Sequence, residues 1–462
     1  MYYKKYAKKK TKKIAGRTVK EDPNRFGHLT INDEWRLVLD ALENNPENMF
    51  ITGRAGTGKS TLLDYWRAHT KQNIVVLAPT GVAALNVRGQ TIHSFFGFHP
   101  GITPADVRRH GTKEGAENMY KKIDAIVIDE VSMVRADLLD CVDKFMRLNG
   151  RERGRAFGGA RLVVFGDMCQ LPPVITEAER EAFYSLYRTP YFFSANVLRD
   201  RQLVGPSNDF IKFELNEIHR QKDANFIRLL NRVRDNEATA DDLAELNRRH
   251  EVDYQMDDDD YRIYLTATNR VAAEINGSRL NRLSGKSQSF KADSYGHFDD
   301  RAHPTDEILE LKVGAQVMLI NNDSMKRWVN GTIGHVTNLK KDTYNLPVVS
   351  VRLPDGETVE VSPHTWKAHR YYLNVSEQKL EAQEIGAFTQ LPLKLAWAVT
   401  IHKAQGKTFD RVVLDIGRGM FASGQLYVAL SRCTSLEGIV LVQPLMPRDI
   451  ITDPAVTEFL RG

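Results

Sequence analysis

The segment from Gly53 to Thr61 constrains the fold of this 462-residue chain more than any other part of it. It reads Gly-Arg-Ala-Gly-Thr-Gly-Lys-Ser-Thr and matches the pattern GxxxxGK[ST]. The apolar run 49–52 before it predicts a buried strand, and the stretch 60–69 after it predicts a helix. A phosphate loop between a strand and a helix belongs to a parallel sheet, so the segment predicts an α/β domain.

The chemistry of phosphate binding explains the residue types in this loop. The glycines let backbone N–H groups curl around the phosphates, Lys59 can reach the outer phosphates, and the Ser60 hydroxyl can hold Mg²⁺. The residues that we expect to bind the nucleotide here are Gly56, Thr57, Gly58, Lys59, Ser60 and Thr61.

Further apolar runs divide the chain into domains. Runs at 74–78, 125–128 and 162–165, separated by helical stretches such as 137–148, extend a doubly wound α/β domain over residues 28–205. The same pattern at 262–267, 412–416 and 439–442 predicts a second α/β domain, built from 206–285 and 391–462. Between its two pieces, runs at 308–321, 332–339 and 348–361 with turn signals at Asn330-Gly331 and Asp355-Gly356 predict a small all-β insertion over 286–390, of the SH3-like barrel type.

Two later segments carry the groups that hydrolysis needs. Asp129 and Glu130 follow a predicted strand, where ligands of α/β sheets sit. Asp129 would bind Mg²⁺, and Glu130 would orient and deprotonate the attacking water. Gln170 also follows a strand, and its amide can hydrogen-bond both a γ-phosphate oxygen and that water. Together with the phosphate loop, these residues predict a nucleotide hydrolase.

Hydrolysis also needs cations aimed at the charge of the transition state. Arg220, in Glu-Ile-His-Arg-Gln, and Arg432, in Ala-Leu-Ser-Arg, are the candidates. By spacing alone, a surface ion pair is the better explanation of either arginine. The resemblance described next selects the catalytic interpretation.

The motifs stand in the order of a known family. The ordered set is AGTGKST (55–61), APTGVAALNVRGQTIHSFF (78–96), IDEVSM (128–133), GDMCQLPP (166–173), EIHRQ (217–221), LTATNRVAAEIN (265–276), WAVTIHKAQGKTFD (397–410) and GQLYVALSRC (424–433). From about residue 28 to the end, this set resembles the PIF-type, RecD-like DNA helicases of superfamily one, B branch. The segment 155–160 also resembles the characteristic segment of the PIF subgroup.

The resemblance implies two RecA-like domains with ATP in the cleft between them and Arg220 and Arg432 as arginine fingers. It also implies 5′→3′ translocation on single-stranded DNA and unwinding of tailed or forked duplexes in replication, repair or recombination. One position departs from the family, since Trp35 stands where a glutamine often reads adenine. Trp35 either stacks on the base or anchors a helix in the core.

The resemblance also places a DNA track. It implies contacts to single-stranded DNA from one segment in each domain, and we expect either Phe95 or Phe96 to stack on or wedge against bases. The expected DNA-contacting residues are Pro79, Thr80, His93, Phe95, Phe96, Thr400, His402, Lys403 and Gln405. A strand-splitting wedge is expected between 97 and 120, and Trp328 either touches displaced DNA or fills the core of the insertion.

Charge and composition are consistent with these expectations. The net charge of +5 fits a nucleic-acid partner, and no apolar run approaches the length of a membrane span. The Lys-rich segment 1–27 is either a solvated flexible tail or an arm that grips phosphates or serves as an address. We expect a monomeric, cytoplasmic, nucleoid-associated motor, and the compact length favours a bacterial or phage source.

Three other functions are compatible with parts of the sequence. A single-stranded-DNA-stimulated translocase that displaces protein without processive unwinding would have the same motifs. A nucleotide-controlled switch would require a base-specificity sequence such as NKxD, which the chain lacks. A non-catalytic scaffold would not need Lys59, Asp129 and Glu130.

Overall fold

Two parallel sheets organise the molecule. The computed structural model describes residues 29, 31–109, 116–199, 210–257, 260–323, 325–374, 376–377, 379–417 and 419–461. The basic segment 1–27 and residues 110–115 of the expected wedge lie outside the described residues.

The first sheet has the neighbour order β3-β2-β4-β5-β1-β6, and all its pairs are parallel. Its strands are β1 Met49–Gly53, β2 Ile74–Ala78, β3 Gln90–Thr91, β4 Ala125–Ile128, β5 Arg161–Phe165 and β6 Ile211–Leu215. Alternate side chains enter two different cores, with Phe50 and Ile126 on one face and Met49 and Val127 on the other. The sheet is therefore covered on both faces, as the near-continuous apolar runs predict.

Helices cover these faces and those of the second sheet. The α-helices are α1 Asp33–Asn44, α2 Lys59–His69, α3 Gly81–Asn86, α4 Ile92–Phe96, α5 Ala116–Lys121, α6 Ala136–Asn149, α7 Arg180–Tyr184, α8 Asn196–Arg199, α9 Ala224–Arg234, α10 Ala240–Asn247, α11 Asn269–Arg282, α12 Ile401–Ala404, α13 Gln425–Leu430 and α14 Pro454–Arg461. Short 3₁₀ turns lie at Val131–Met133, Ala156–Gly159, Glu177–Glu179, Phe192–Ser194, Asp300–Ala302 and Pro447–Asp449. Within the part of the chain that the structure describes, no helix is long and apolar enough to cross a bilayer.

The second sheet joins strands that lie far apart in sequence. It has the order β18-β7-β19-β20 and is parallel throughout. Its strands are β7 Ile263–Thr266, β18 Ala398–Thr400, β19 Val412–Asp415 and β20 Ile439–Leu441. The chain thus leaves this sheet after β7 and returns to it more than a hundred residues later.

Two elements correct the domain limits taken from the sequence. Strand β6 pairs with β1, so the first sheet extends beyond the expected boundary at residue 205. Helix α14, assigned to the second domain by sequence, packs Val456 and Phe459 onto the first core, where the Phe459 ring stacks on Phe193 at 4.4 Å between ring centroids. Both elements therefore belong to the packing of the first sheet, although the sequence places them in the second domain.

The segment between β7 and β18 is antiparallel and contains three sheets. Their orders are β14-β13-β12-β11-β17, β15-β16-β9 and β10-β8. The strands are β8 Gln288–Lys291, β9 Asp293–Gly296, β10 Ile308–Leu311, β11 Gln316–Leu319, β12 Ile333–Lys341, β13 Pro347–Arg352, β14 Thr358–Val361, β15 His364–Asn374, β16 Lys379–Gln390 and β17 Leu393–Leu395. The expected all-β texture is present, while an SH3-like barrel stays a prediction.

The long β15–β16 hairpin was not expected from the sequence. It reaches back to the edge of the first sheet, where the Tyr371 hydroxyl accepts the Val76 N–H at 3.1 Å. The Tyr371 N–H donates to Gln90 Oε1 at 3.2 Å, and the Leu380 N–H donates to Asn73 Oδ1 at 3.0 Å. The hairpin therefore ties the insertion to the first sheet.

Candidate active site

The phosphate loop connects β1 to α2 and depends on glycine. Gly53, Gly56 and Gly58 all have positive φ, and a Cβ at Gly56 would lie 2.6 Å from Cβ of Arg220. The Lys59 ammonium donates to the carbonyls of Gly53 at 2.6 Å and Arg54 at 3.0 Å. Burial lowers the pKa of Lys59, although nearby carboxylates oppose this. The loop thus concentrates positive charge and N–H donors at the end of the sheet.

The two carboxylates expected from the sequence lie beside this loop. Asp129 is buried, and Ser60 Oγ donates to its Oδ2 at 3.3 Å. Burial, and then the adjacent Glu130 carboxylate, raises the pKa of Asp129. Glu130 itself has a φ of +53°, a left-handed conformation that is uncommon for a non-glycine residue and is concentrated at functional sites.

Gln170 follows β5 and closes a third side of the site. Its Nε2 lies 3.5 Å from Asp167 Oδ2, and its Oε1 accepts a hydrogen bond from Gln405 Nε2 at 3.1 Å. The same Gln405 nitrogen donates to Glu130 Oε2 at 3.1 Å. Gln405 was expected to contact DNA, but its amide points into the nucleotide site.

Arg432 approaches from the second unit, whereas Arg220 follows β6 and lies beside Gly56 of the phosphate loop. Arg220 donates to the Ser431 carbonyl at 3.1 Å, next to Arg432 in the chain. Arg432 is 1% exposed, and its guanidinium donates to the Val428 carbonyl and to Ser431 Oγ. Burial, followed by the neighbouring Arg220, lowers the pKa of Arg432 to about 9. The buried Arg432 and the half-buried Arg220 therefore bring two positive charges to a site that binds an anion.

These groups line one cleft of about 990 Å³. It contains every residue that we expected to bind or hydrolyse the nucleotide, namely Trp35, Gly56, Thr57, Gly58, Lys59, Ser60, Thr61, Asp129, Glu130, Gln170, Arg220 and Arg432. The sequence predicted no site role for several other lining residues, namely Leu29, Asn32, Glu217, His219, Val329 and Thr408. Glu217, His219 and Thr408 lie within the family motifs, as does the lining residue Gly406, whereas the position of Val329 depends on how the insertion folds back.

Trp35 occupies the wall of the cleft behind the phosphate loop. It is 5% exposed and packs in one core with Val38 and Leu42, with its ring edge against Gly58. Trp35 is therefore a core residue that also lines the cleft, and its stacking on a base stays a prediction.

A buried network joins the two parallel units directly below the phosphate loop. Tyr427 of α13 accepts the Ala55 N–H at 2.9 Å and donates to Asp167 Oδ2 at 3.1 Å. Asp167 Oδ1 also accepts from the guanidinium of Arg234, on α9, at 3.2 Å. Although burial raises the pKa of Asp167, Arg234 and Lys59 lower it overall. This network connects the loop to the unit that carries Arg432.

The residues expected on the DNA track follow strand ends in both units. Thr80 lies just after β2, and Thr400 is the last residue of β18. The hydroxyl of each threonine caps the helix that follows it. Lys403 is exposed, and burial lowers the pKa of the half-buried His402. Pro79 and His93 are half-buried.

The aromatic pair requires a correction. Phe95 and Phe96 are 6% and 3% exposed and pack edge to face with each other and with Tyr120 or Phe145. Neither ring is exposed enough to stack on a base, which argues against the role we expected for one of them. Trp328 is also a core residue, 6% exposed, with its Nε1 donating to Asn321.

Comparisons with known proteins agree on one family. Residues 30–243 match the model of the PIF1-like helicases. The chain is 32% identical to the ATP-dependent DNA helicase Pif1 of Bdellovibrio bacteriovorus, covering 94% of this chain and 92% of that protein. It is also 32% identical to the PIF1 of Emericella nidulans, of which it spans only 62%. These relatives come from a bacterium and a fungus, so they do not support the expected preference for a bacterial or phage source.

Solved structures of a Bacteroides Pif1 show the same fold at 36% identity, covering 94% of this chain and 97% of that one. The TM-score is 0.85 for its complex with ADP-AlF4 and 0.65 for its complex with single-stranded DNA. The two RecA-like domains expected from the sequence are therefore confirmed as the fold of this chain.

Proposed function

Because this chain belongs to the PIF1-like helicase family, we propose that it is an ATP-dependent helicase that moves 5′→3′ on single-stranded DNA and unwinds tailed or forked duplexes. One observation carries the proposal. The phosphate loop, Asp129, Glu130 and Gln170 face Arg432 across a single cleft between two parallel units. Because both units contribute residues to this cleft, binding of a nucleotide can close the cleft and hydrolysis can open it again. The polarity follows from the family alone.

The residues of the first unit bind and activate. Lys59 and the loop N–H groups hold the phosphates, while Glu130 and Gln170 orient the attacking water. The hard oxygen donors Ser60 Oγ and Asp129 Oδ2, 3.3 Å apart, suit Mg²⁺, which takes few protein ligands and completes its shell with phosphate and water. When bound there, Mg²⁺ would neutralise charge on the phosphates.

Two arginines complete the transition state, Arg432 from the second unit and Arg220 from the segment that follows β6. Arg432 and the adjacent Arg220 supply the cations, so the cleft closes when both sides hold one nucleotide. Each unit contacts the DNA strand through its own segment. The first unit would use Pro79, Thr80 and His93, and the second Thr400, His402 and Lys403. When the cleft opens after hydrolysis, these two contact segments move relative to each other along the strand. A base-pair step resists by about 1.4 kcal/mol, which one hydrolysis can overcome. We propose a monomeric motor located with the DNA of its cell.

The test compares two partial duplexes, one with a 5′ single-stranded tail and one with a 3′ tail, in the presence of ATP and Mg²⁺. We expect unwinding of the 5′-tailed substrate only, and none with Lys59→Ala. Unwinding from the 3′ tail would overturn the polarity. If neither duplex opens while single-stranded DNA still stimulates hydrolysis, the protein-displacing translocase becomes the better assignment.

A further inference from the structure

Gln405 links the proposed catalytic base to the residue that reads the γ-phosphate. Its Nε2 lies 3.1 Å from Glu130 Oε2 and 3.1 Å from Gln170 Oε1. The carboxylate of Glu130 can accept a hydrogen bond but not donate one, and Gln170 turns its own nitrogen toward the Asp167 carboxylate. These two carboxylates fix the orientation of both amides, so the atom between Glu130 and Gln170 is a nitrogen donor.

That nitrogen lies at the distance from Glu130 and from Gln170 that the attacking water requires. The attacking water must lie within about 2.6–3.2 Å of its general base, and Gln170 is the amide that orients it. An atom at 3.1 Å from both groups meets these conditions. The Gln405 amide and the attacking water therefore cannot be bound between Glu130 and Gln170 together.

The contact is held at a cost. Among the described residues, Gln405 Oε1 is buried and has no hydrogen-bond partner. A buried carbonyl left in this way is unfavourable, so a modest rearrangement is enough to withdraw the side chain.

The same turn carries the groups proposed to meet DNA. Gln405 ends α12, a helix of one turn, and its N–H donates to the His402 carbonyl at 3.2 Å. Lys403 in this turn is exposed. A DNA phosphate that binds Lys403 or His402 would pull on helix α12, and Gln405 is the residue that caps the end of this helix. This chain also superposes better on the unliganded Bacteroides structure than on the same protein bound to single-stranded DNA, with TM-scores of 0.83 and 0.65.

We propose that Gln405 is a positioning residue that keeps Glu130 and Gln170 from the attacking water until DNA engages the α12 turn. This inference rests on the proposed function. Gln405 would then inhibit ATP hydrolysis in the absence of DNA. Its removal should raise the DNA-free rate of hydrolysis and leave the DNA-stimulated rate unchanged.

The experiment measures phosphate release by Gln405→Ala at saturating ATP, with and without single-stranded DNA. We expect the rate without DNA to rise about tenfold, which corresponds to about 1.4 kcal/mol. The rate with DNA stays close to wild type, so the stimulation factor falls. Gln405→Asn, too short to bridge both partners, should behave in the same way with a smaller change in volume.

Two controls isolate the effect. Gln443→Ala removes another half-buried amide of the second unit, bonded to Asp415, and should leave both rates unchanged. Lys59→Ala combined with Gln405→Ala should abolish the gained hydrolysis. A DNA-free rate that is unchanged or lower in both Gln405 variants overturns the inference. If wild-type hydrolysis is not stimulated by DNA at all, the proposed function itself fails.

Discussion

Arg432 illustrates how much a single residue contributes at this site. Its guanidinium is bonded to its own helix through the Val428 carbonyl and Ser431 Oγ, yet it lines the nucleotide cleft. Because an arginine of this kind stabilises charge only in the transition state, we expect Arg432→Ala to lower the DNA-stimulated kcat by roughly a thousandfold. Steady-state hydrolysis measures this, and titration with a non-hydrolysable ATP analogue should show a much smaller loss of binding.

The exposed Arg411, paired with Asp260 in the same unit, provides the control. Arg411→Ala should retain the wild-type kcat. Equal losses of kcat in the two variants would contradict a specific role for Arg432.

Lys407 gives a prediction that depends on pH. Burial, and then the neighbouring Lys394, lowers its pKa from 10.5 to about 8. Between these values the unfolded chain binds a proton that the folded chain does not, so this residue makes stability rise as pH increases from 8 to 10. We expect the urea midpoint of wild type, relative to that of Lys407→Met, to increase as the pH rises from 8 to 10. A constant difference between the two would show that Lys407 does not titrate there.

At the scale of elements, the β15–β16 hairpin holds the insertion against the first sheet. The buried Tyr371 hydroxyl accepts the Val76 N–H, so Tyr371→Phe leaves a backbone donor without this partner. We expect the free energy of unfolding to fall by about 1–3 kcal/mol, measured by urea denaturation.

The next residue provides the matched control for this prediction. The Tyr372 hydroxyl bonds Glu381 within the same hairpin, at a half-buried position. Tyr372→Phe should therefore cost less than about 1 kcal/mol. If Tyr372→Phe is as costly as Tyr371→Phe, the contact between hairpin and sheet is not what stabilises the hairpin.

At the scale of the whole molecule, a buried ion pair joins the two parallel units. The side chains of Asp167 and Arg234 are 0% and 6% exposed. Removing one partner strands the other charge in the interior, so Arg234→Met should lower the free energy of unfolding by about 3–5 kcal/mol. Thermal and urea unfolding measure the loss.

Arg232, two positions earlier on the same helix, is 41% exposed and pairs with Asp242. Arg232→Met should cost about 0–1 kcal/mol, as exposed pairs generally do. A similar cost for both arginines would show that the junction is solvated and does not hold the units together.

The chain sequence alone determined the nucleotide chemistry and the parallel sheets. The phosphate loop, Asp129, Glu130 and Gln170 each follow an apolar strand, and parallel strands bring such ends to one edge. Because this information is local, runs of a few residues were enough to predict it. The ordered motifs extended it to the family.

Only the tertiary structure decided which way several side chains point. Phe95 and Phe96 are buried because helix α4 packs on the core with Tyr120 and Phe145. Gln405, at the end of α12, bonds Glu130 and Gln170 rather than facing the expected DNA track. The return of β6, α14 and the β15–β16 hairpin to the first sheet depends on surfaces formed by residues distant in sequence. No local pattern encodes such contacts, since each needs a strand edge, a backbone donor or an apolar surface that exists only once the first sheet has formed.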